Sequence, residues 1–445
     1  MADIETLPEL EALDAGGAGV RIPPGDTVPL TPRVRALLDT APLRRLARIS
    51  QLGLVALVYP GAVHSRLEHS LGVYRLALEF LRRLRRDERF AAAVSAEDGA
   101  AFLAAALTHD VGHWAYCHPL EDIGLPTLPR HESLLAGILS AGDVAAVLRD
   151  QWRLDPARVA ALVAGTAADP AGRILQSLLS GPVDVDKMDY LARDSLHAGV
   201  PYGRHFDRER LLASLCLDET GTALAITEKG RTAAELMVFA RYVMFSEVYW
   251  HHAVRAATAM LQRAVWLVRE RLDPVAVTAT DDREFAAWLL AAAAGTPAEP
   301  LAAGLFGPTR RLVKRAGSFD AQHAPAVHSA LAGRDYADMA AVSARLATAI
   351  SDRLGRSIEP ATLIIDAPPA KREVEFRLSV RERSPGGRTR WRAFADLSPV
   401  VRSLAHEQFD SLVKRVRVFA PPEDAEAIAG CGELESLLLA AASQG

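Results

Sequence analysis

The sequence predicts a mainly α-helical body with a small α+β region near the C-terminus. Three observations point there. Leu67, Leu71, Tyr74, Leu78 and Leu81 recur at i, i+4, i+7, i+11 and i+14, which is one face of a helix. Residues 99–109 are almost wholly apolar, as a buried helix is. Val374, Phe376, Leu378 and Val380 alternate with polar or charged neighbours, the period of a half-buried strand.

Taken in order, residues 1–33 read as an irregular N-terminal segment, with Gly and Pro crowded into GGAGVRIPPGDTVPL. Residues 34–355 form the helical body. Within it, 132–149 and 171–198 read as helices, 217–230 (LDETGTALAITEKG) as a small hairpin, and 232–272 as one long helix. Residues 273–300 hold a short alanine-rich helix between polar, Pro-containing ends, after which helical spacing returns until about 355. Residues 356–445 form the α+β region, where LIIDAPP and VRVFAPP read as strands ending at prolines.

A chain of 445 residues can bury a large core, and 50% hydrophobic with 24% charged residues is ordinary for a globular protein. A net charge of -4 gives no basic footprint across the chain, so nucleic-acid binding is not indicated. Cys117, Cys216 and Cys431 are scattered with no CxxC pair, which argues against a disulfide scaffold or a zinc ribbon. Reduced thiols and an acidic start without an apolar leader point to a cytoplasmic protein. No uncharged run approaches the roughly 20 residues needed to span a bilayer, so no membrane partner is expected.

The chemistry concentrates around His109-Asp110, in AAALTHDVGHWAYCH. An imidazole and a carboxylate at the end of an apolar run are costly to bury without a partner, and a divalent metal would serve both. His69 and Asp186 lie on other predicted helices and would complete two imidazoles and two carboxylates. Such a set leaves coordination positions open for water and substrate, as a hydrolytic metal requires. His113, His118, Glu121 and His131-Glu132 follow closely, placing four of the 13 histidines within residues 109–131.

The ordered motifs RLARISQLGLVALVYPGAVHSRLEHSLGVYRLA, THDVGHWAYCHPLED, RHE and DVDKMDYLARDS resemble those of the HD-domain phosphohydrolase superfamily. The resemblance is closest to its dNTP triphosphohydrolases of the sterile-alpha-motif-and-HD-domain type and their bacterial relatives. It spans about residues 20–275, extends weakly into the α+β region, and includes no sterile-alpha-motif domain. It implies an HD-domain helical body and hydrolysis of dNTPs to deoxynucleoside and inorganic triphosphate, with metal-activated water attacking the α-phosphorus. It implies His69, His109, Asp110 and Asp186 as ligands of a divalent transition metal (Fe, Mn, Ni or Zn), with Mg or Mn accompanying the triphosphate. His118 would be the general acid at the leaving 5′ oxygen, with His131, Glu121 and His113 in a proton relay beside it. Arg66, Lys187, Tyr190 and Arg241 would hold the triphosphate. Gln51 and Asp194 would contact the sugar 3′-hydroxyl, and Leu52 and Tyr249 would pack on the deoxyribose. A homo-oligomer is also implied.

The chemistry fits those roles. Phosphoryl transfer is mostly positioning and charge stabilisation, and Arg and Lys supply both. The same residues leave open a nucleotide monophosphatase or phosphodiesterase, and a non-catalytic metal- or nucleotide-sensing protein. The chain also departs from the family pattern. DTAPLRRLARISQLG keeps Asp39 but carries Arg44 and Ala47 where the family's nucleotide-activated members have glutamine and arginine. Phe245 and Glu247 stand where a histidine and an arginine are often found.

Overall fold

The computed structural model describes residues 4–16, 19–369, 378–383, 388–404 and 412–444. Helices dominate it, joined by three small sheets. The centre is built from three helices. Arg66–Leu84 starts at Ser65, whose hydroxyl accepts from the Glu68 N–H. Ala96–Thr108 starts in a capping box between Ser95 and Asp98. Val185–His197 starts at Asp184, whose carboxylate accepts from the Lys187 N–H. Each cap satisfies backbone donors that the first turn leaves unpaired. The helices close on Tyr74, Phe80 and Phe102, all fully buried.

The first 33 residues are more regular than expected. They hold a helix, Pro8–Ala15, and an antiparallel hairpin, Gly19–Ile22 with Asp26–Pro29. The Pro-Pro-Gly run that read as irregular chain makes the turn of that hairpin, with Gly25 at φ +148. Three long helices expected from the pattern are each broken. Residues 132–149 divide into His131–Ser140 and Gly142–Asp150, with extended Ala141 at the break and a bend of 57°. Residues 171–198 divide into Pro170–Leu179 and Val185–His197. Residues 232–272 divide into Arg231–Met244, one π-turn at Phe245–Tyr249, and His252–Val268. At that turn the Trp250 N–H reaches back five residues to the Phe245 carbonyl, which interrupts the α-helical ladder beside the site.

The expected hairpin is present as Leu215–Leu217 with Leu224–Thr227. Ser379–Arg383 then pairs with Leu224–Thr227 in parallel, Ala225 facing Ser379, and Thr389–Ala393 closes a four-stranded sheet. Val380 lies buried in this sheet and Leu378 just before it; Val374 and Phe376 of the expected strand lie outside the described residues. The other two expected strands are Ile364–Asp366 and Val416–Ala420. Val416–Ala420 is central in its sheet and every residue of it is buried. Its second neighbour, Lys314–Phe319, falls where helical spacing was expected. That strand carries few apolar residues and a register shift at Arg315/Gly317, so it shows no alternation to read. Among the described residues no single helix is long and apolar enough to cross a membrane.

Candidate metal centre and active-site clefts

Three neighbouring elements bring the four expected ligands together. His69 sits in the first turn of Arg66–Leu84, His109 caps the C-terminus of Ala96–Thr108 with Asp110 after it, and Asp186 lies in the first turn of Val185–His197. His69 Nε2 is 3.0 Å from Asp186 Oδ1 and 3.2 Å from His109 Nε2. His109 Nε2 is in turn 3.4 Å from Asp110 Oδ1.

The protons decide what this cluster can hold. His69 Nδ1 faces Asp189 Oδ2 at 2.9 Å and His109 Nδ1 faces the Ala106 carbonyl at 3.0 Å. Each Nδ1 therefore donates, and each Nε2 presents a lone pair to the other and to a carboxylate. Burial alone would protonate Asp110, but the positive charge beside it, above all the Arg66 guanidinium paired at 2.9 Å, outweighs burial and holds the carboxyl well below its usual range. His69, His109 and Asp110 each offer a donor atom within 4.8 Å of the others, and Asp186 joins them through His69; electron-pair donors gathered this closely need a cation between them. Donors about 2.1 Å from one ion, at tetrahedral to octahedral angles, lie about 3.0–3.4 Å apart, so the spacing fits a divalent metal. Without one a proton takes its place. Burial lowers His69, yet its contacts to Asp186 and Asp189 prevail and push it up to about 10.

A second cluster stands beside the first. Gly112 lets the loop after His109 close on the His131 helix, because a Cβ there would lie 2.4 Å from the His131 carbonyl oxygen. His113 Nδ1 lies 3.2 Å from both the carbonyl and Oδ1 of Asp110, and its Nε2 lies 3.2 Å from His118 Nε2. Burial, then Arg66, keeps His113 well below its ordinary value and hence neutral. Glu121 grips His131 twice, taking its backbone N–H at 2.6 Å and its Nδ1 at 2.9 Å. The rings of His113 and His131 lie 4.0 Å apart, and His118 meets both edge-on.

Both clusters open into a cleft of about 460 Å³ that Gln51, Arg66 and Tyr190 also line. A second, more apolar cleft of about 230 Å³ adjoins it and includes Leu52, Tyr249 and Trp250. Gln51, Arg66 and His118 line both. Arg66 Nη1 donates to Asp110 Oδ2 at 2.9 Å, while its Nε and Gln51 Oε1 are buried without a hydrogen-bond partner among the described residues. Asp194 receives the Tyr249 hydroxyl at 2.6 Å and faces His64 Nε2 at 2.9 Å. Lys187 points its Nζ at Asp184, 2.6 Å away, and Arg241 lies over the Phe245 ring; neither lines these two clefts.

Several supporting residues escaped the sequence reading. Asp189 holds His69 and pairs with Arg193, whose Nη1 also reaches Glu68 at 2.7 Å. His64 stacks on His197 at 4.3 Å, and His197 in turn faces Glu68 at 2.8 Å. One signal was available: Asp186, Asp189 and Arg193 fall at i, i+3 and i+7, a single polar face on a helix whose other face is core.

Comparison with known proteins agrees with this geometry. The HD domain family matches residues 66–194, the stretch that holds both clusters, and the HD associated region family matches residues 206–440. The Bacillus subtilis protein YwfO is 37% identical over 240 residues, covering 53% of this chain and 52% of that protein. The Homo sapiens deoxynucleoside triphosphate triphosphohydrolase SAMHD1 is 27% identical over 269 residues, covering 53% of this chain and 42% of that protein. The chain thus spans about half the length of the curated relatives it matches. A hypothetical protein from Aquifex aeolicus aligns over 93% of this chain and 99% of its own, with a TM-score of 0.70 at 23% identity. A phosphohydrolase from Bacteroides thetaiotaomicron aligns over 91% of this chain and 100% of its own, with a TM-score of 0.66 at 21% identity. Those two share the fold. With the paired histidines and aspartates on one side and the associated region on the other, the chain belongs to the HD-domain proteins that carry an HD associated region.

Proposed function

We propose that this chain is a metal-dependent phosphohydrolase that cleaves dNTPs to deoxynucleoside and inorganic triphosphate. One observation carries the reading: the ligand cluster opens into a polar cleft that shares Gln51, Arg66 and His118 with a more apolar one. A triphosphate in the first and a sugar and base in the second put the 5′ ester bond at the shared wall, where His118 stands. The activity named for SAMHD1, which contains the matched region, supports the same substrate class.

His69, His109, Asp110 and Asp186 would hold a divalent cation, which when bound would supply Lewis-acid charge and acidify a water. The mixed imidazole and carboxylate set suits a first-row metal such as Fe, Mn, Ni or Zn, and Mg or Mn would travel with the triphosphate. Arg66, fixed by Asp110, turns its remaining donors to phosphate oxygens. Tyr190 adds a hydroxyl from the cleft wall, with Lys187 and Arg241 contributing positive charge from farther out. Burial and then Arg66 push His118 down to about 4, so the negative charge of a bound triphosphate has to raise it before it gives a proton to the departing 5′ oxygen; His113 and the Glu121–His131 pair hold its ring in place. Gln51 accepts from the 3′-hydroxyl, whereas Asp194, expected to share that contact, lies buried outside both clefts and holds the Tyr249 hydroxyl instead. Leu52 and Tyr249 crowd the 2′ position, so a ribonucleotide would bury an unpaired hydroxyl at a cost of about 1–3 kcal/mol.

The test is to incubate the purified chain with each dNTP and NTP plus Mn²⁺ or Mg²⁺ and to identify the products. Inorganic triphosphate from dNTPs is expected. Cleavage confined to monophosphates or cyclic nucleotides would replace this reading with a monophosphatase or phosphodiesterase. Tight binding without turnover would make the chain a sensor. Asp110→Ala is expected to lose both metal and turnover, and full activity in that variant would refute the site.

A further inference from the structure

We propose a second metal site, selective for zinc and inhibitory, formed by Cys117, His113, His118 and His131. One donor atom from each of these four residues lies within 4.8 Å of the others. Tetrahedral zinc needs donors about 3.3–3.8 Å apart, so small side-chain rotations complete the cage. The ligand His69 set mixes imidazole with carboxylate; this one replaces carboxylate with a soft sulfur, which favours zinc over magnesium or manganese.

The histidines are already turned for it. His131 Nδ1 is committed to Glu121 and His113 Nδ1 to Asp110, so both present Nε2 lone pairs. His113 Nε2 and His118 Nε2 face each other at 3.2 Å, the same opposed arrangement seen between His69 and His109. Carboxylate-backed imidazoles are the usual support of metal-ligating histidine. His118 is more than half exposed, so an ion can enter from the cleft.

Cys117 has no part in the proposed reaction, and burial pushes its thiol up to about 12. Without zinc it is an inert thiol. Zinc binding forms the S–Zn bond, breaks the S–H bond and releases that proton to solvent. It also occupies the imidazole nitrogen that His118 needs to carry a proton. The inhibitory role rests on the proton relay proposed above; the zinc site itself does not.

The test uses the full chain. Cobalt(II) added to metal-free protein is expected to give a near-ultraviolet thiolate-to-cobalt band in the wild type and in Asp110→Ala, and none in Cys117→Ser. Zinc added to the manganese-loaded protein is expected to stop triphosphate release from dNTPs. Cys117→Ser should turn over dNTPs as the parent does and need at least about 10-fold more zinc for the same inhibition. Matching thermal unfolding of the two proteins confirms that the variant folds. A wild type without the band, or a band that survives in Cys117→Ser, overturns the site. Equal zinc sensitivity in the two proteins overturns its inhibitory role. The band is read without substrate, so it stands or falls apart from the proposed activity.

Discussion

Asp189 shows how much of a metal centre lies outside its ligands. It takes the Nδ1 proton of His69 and so aims the Nε2 lone pair, while Arg193 neutralises its charge. Asp189→Asn is expected to weaken metal affinity by about 10- to 100-fold, read by titration with a competing chelator. Unchanged affinity would show that His69 needs no such support. His69 also sets a pH dependence. Its raised value near 10, against an ordinary 6.5, means that metal-free protein carries a proton there at neutral pH. That proton stabilises the metal-free fold fully below about 6.5, and the contribution is lost as pH rises through about 10. Metal must displace it, so apparent affinity should rise about tenfold per pH unit across that window. A flat profile would place the proton elsewhere. The ligands themselves were legible in the sequence because histidine and aspartate stand out in apolar segments. Asp189 and Arg193 showed only as a polar helix face, and Glu68 and His64 not at all, because contacts between residues distant in sequence leave no pattern until the helices meet.

At the scale of elements, the helix Arg66–Leu84 depends on a glycine. A Cβ at Gly72 would lie 1.9 Å from Asp189 Oδ1 and 2.3 Å from Arg193 Nη2. The bare backbone is what lets Val185–His197 approach closely enough for His69 to reach Asp186. Gly72→Ala should therefore cost about 1–3 kcal/mol in thermal or denaturant unfolding and reduce metal binding with it. Loss of stability with full metal affinity would mean that the two helices separate without disturbing the ligands. Helical elements were read well wherever the apolar stripe was continuous, as at Leu67 to Leu81. Their breaks were not: the π-turn at Phe245–Tyr249 keeps residue types that helices tolerate, and at Ala141 the apolar spacing on both sides masked the stop that Gly142, at φ +61, supplies. The strand Lys314–Phe319 was missed for a related reason: its pairing comes from Val416–Ala420 beside it, a neighbour far along the chain.

For the whole molecule, the junction between the C-terminal strands and the clefts joins an apolar contact, with Ile364 and Phe419 buried beside Ala257 and Met260, to one carboxylate. Asp366 accepts from Arg255 Nε at 3.0 Å, and Arg417, close to it, donates to the Trp250 carbonyl at 3.0 Å. Trp250 and Arg255 both wall the more apolar cleft, so this strand region buttresses the place where a base would lie. Asp366→Ala leaves the largely buried Arg255 and the buried Arg417 without their carboxylate and should cost about 3 kcal/mol, seen as a lower unfolding temperature. An unaltered midpoint would show that solvent reaches the arginines. The parallel pairing of Leu224–Thr227 with Ser379–Arg383 has a different consequence, one of timing. A strand made midway through synthesis must wait for its partner until most of the chain has left the ribosome. Contacts so distant in sequence close slowly, and the first hairpin carries an unpaired edge in the interval. The growing chain is therefore most prone to stick to its neighbours after residue 227 has emerged and before residue 383 has.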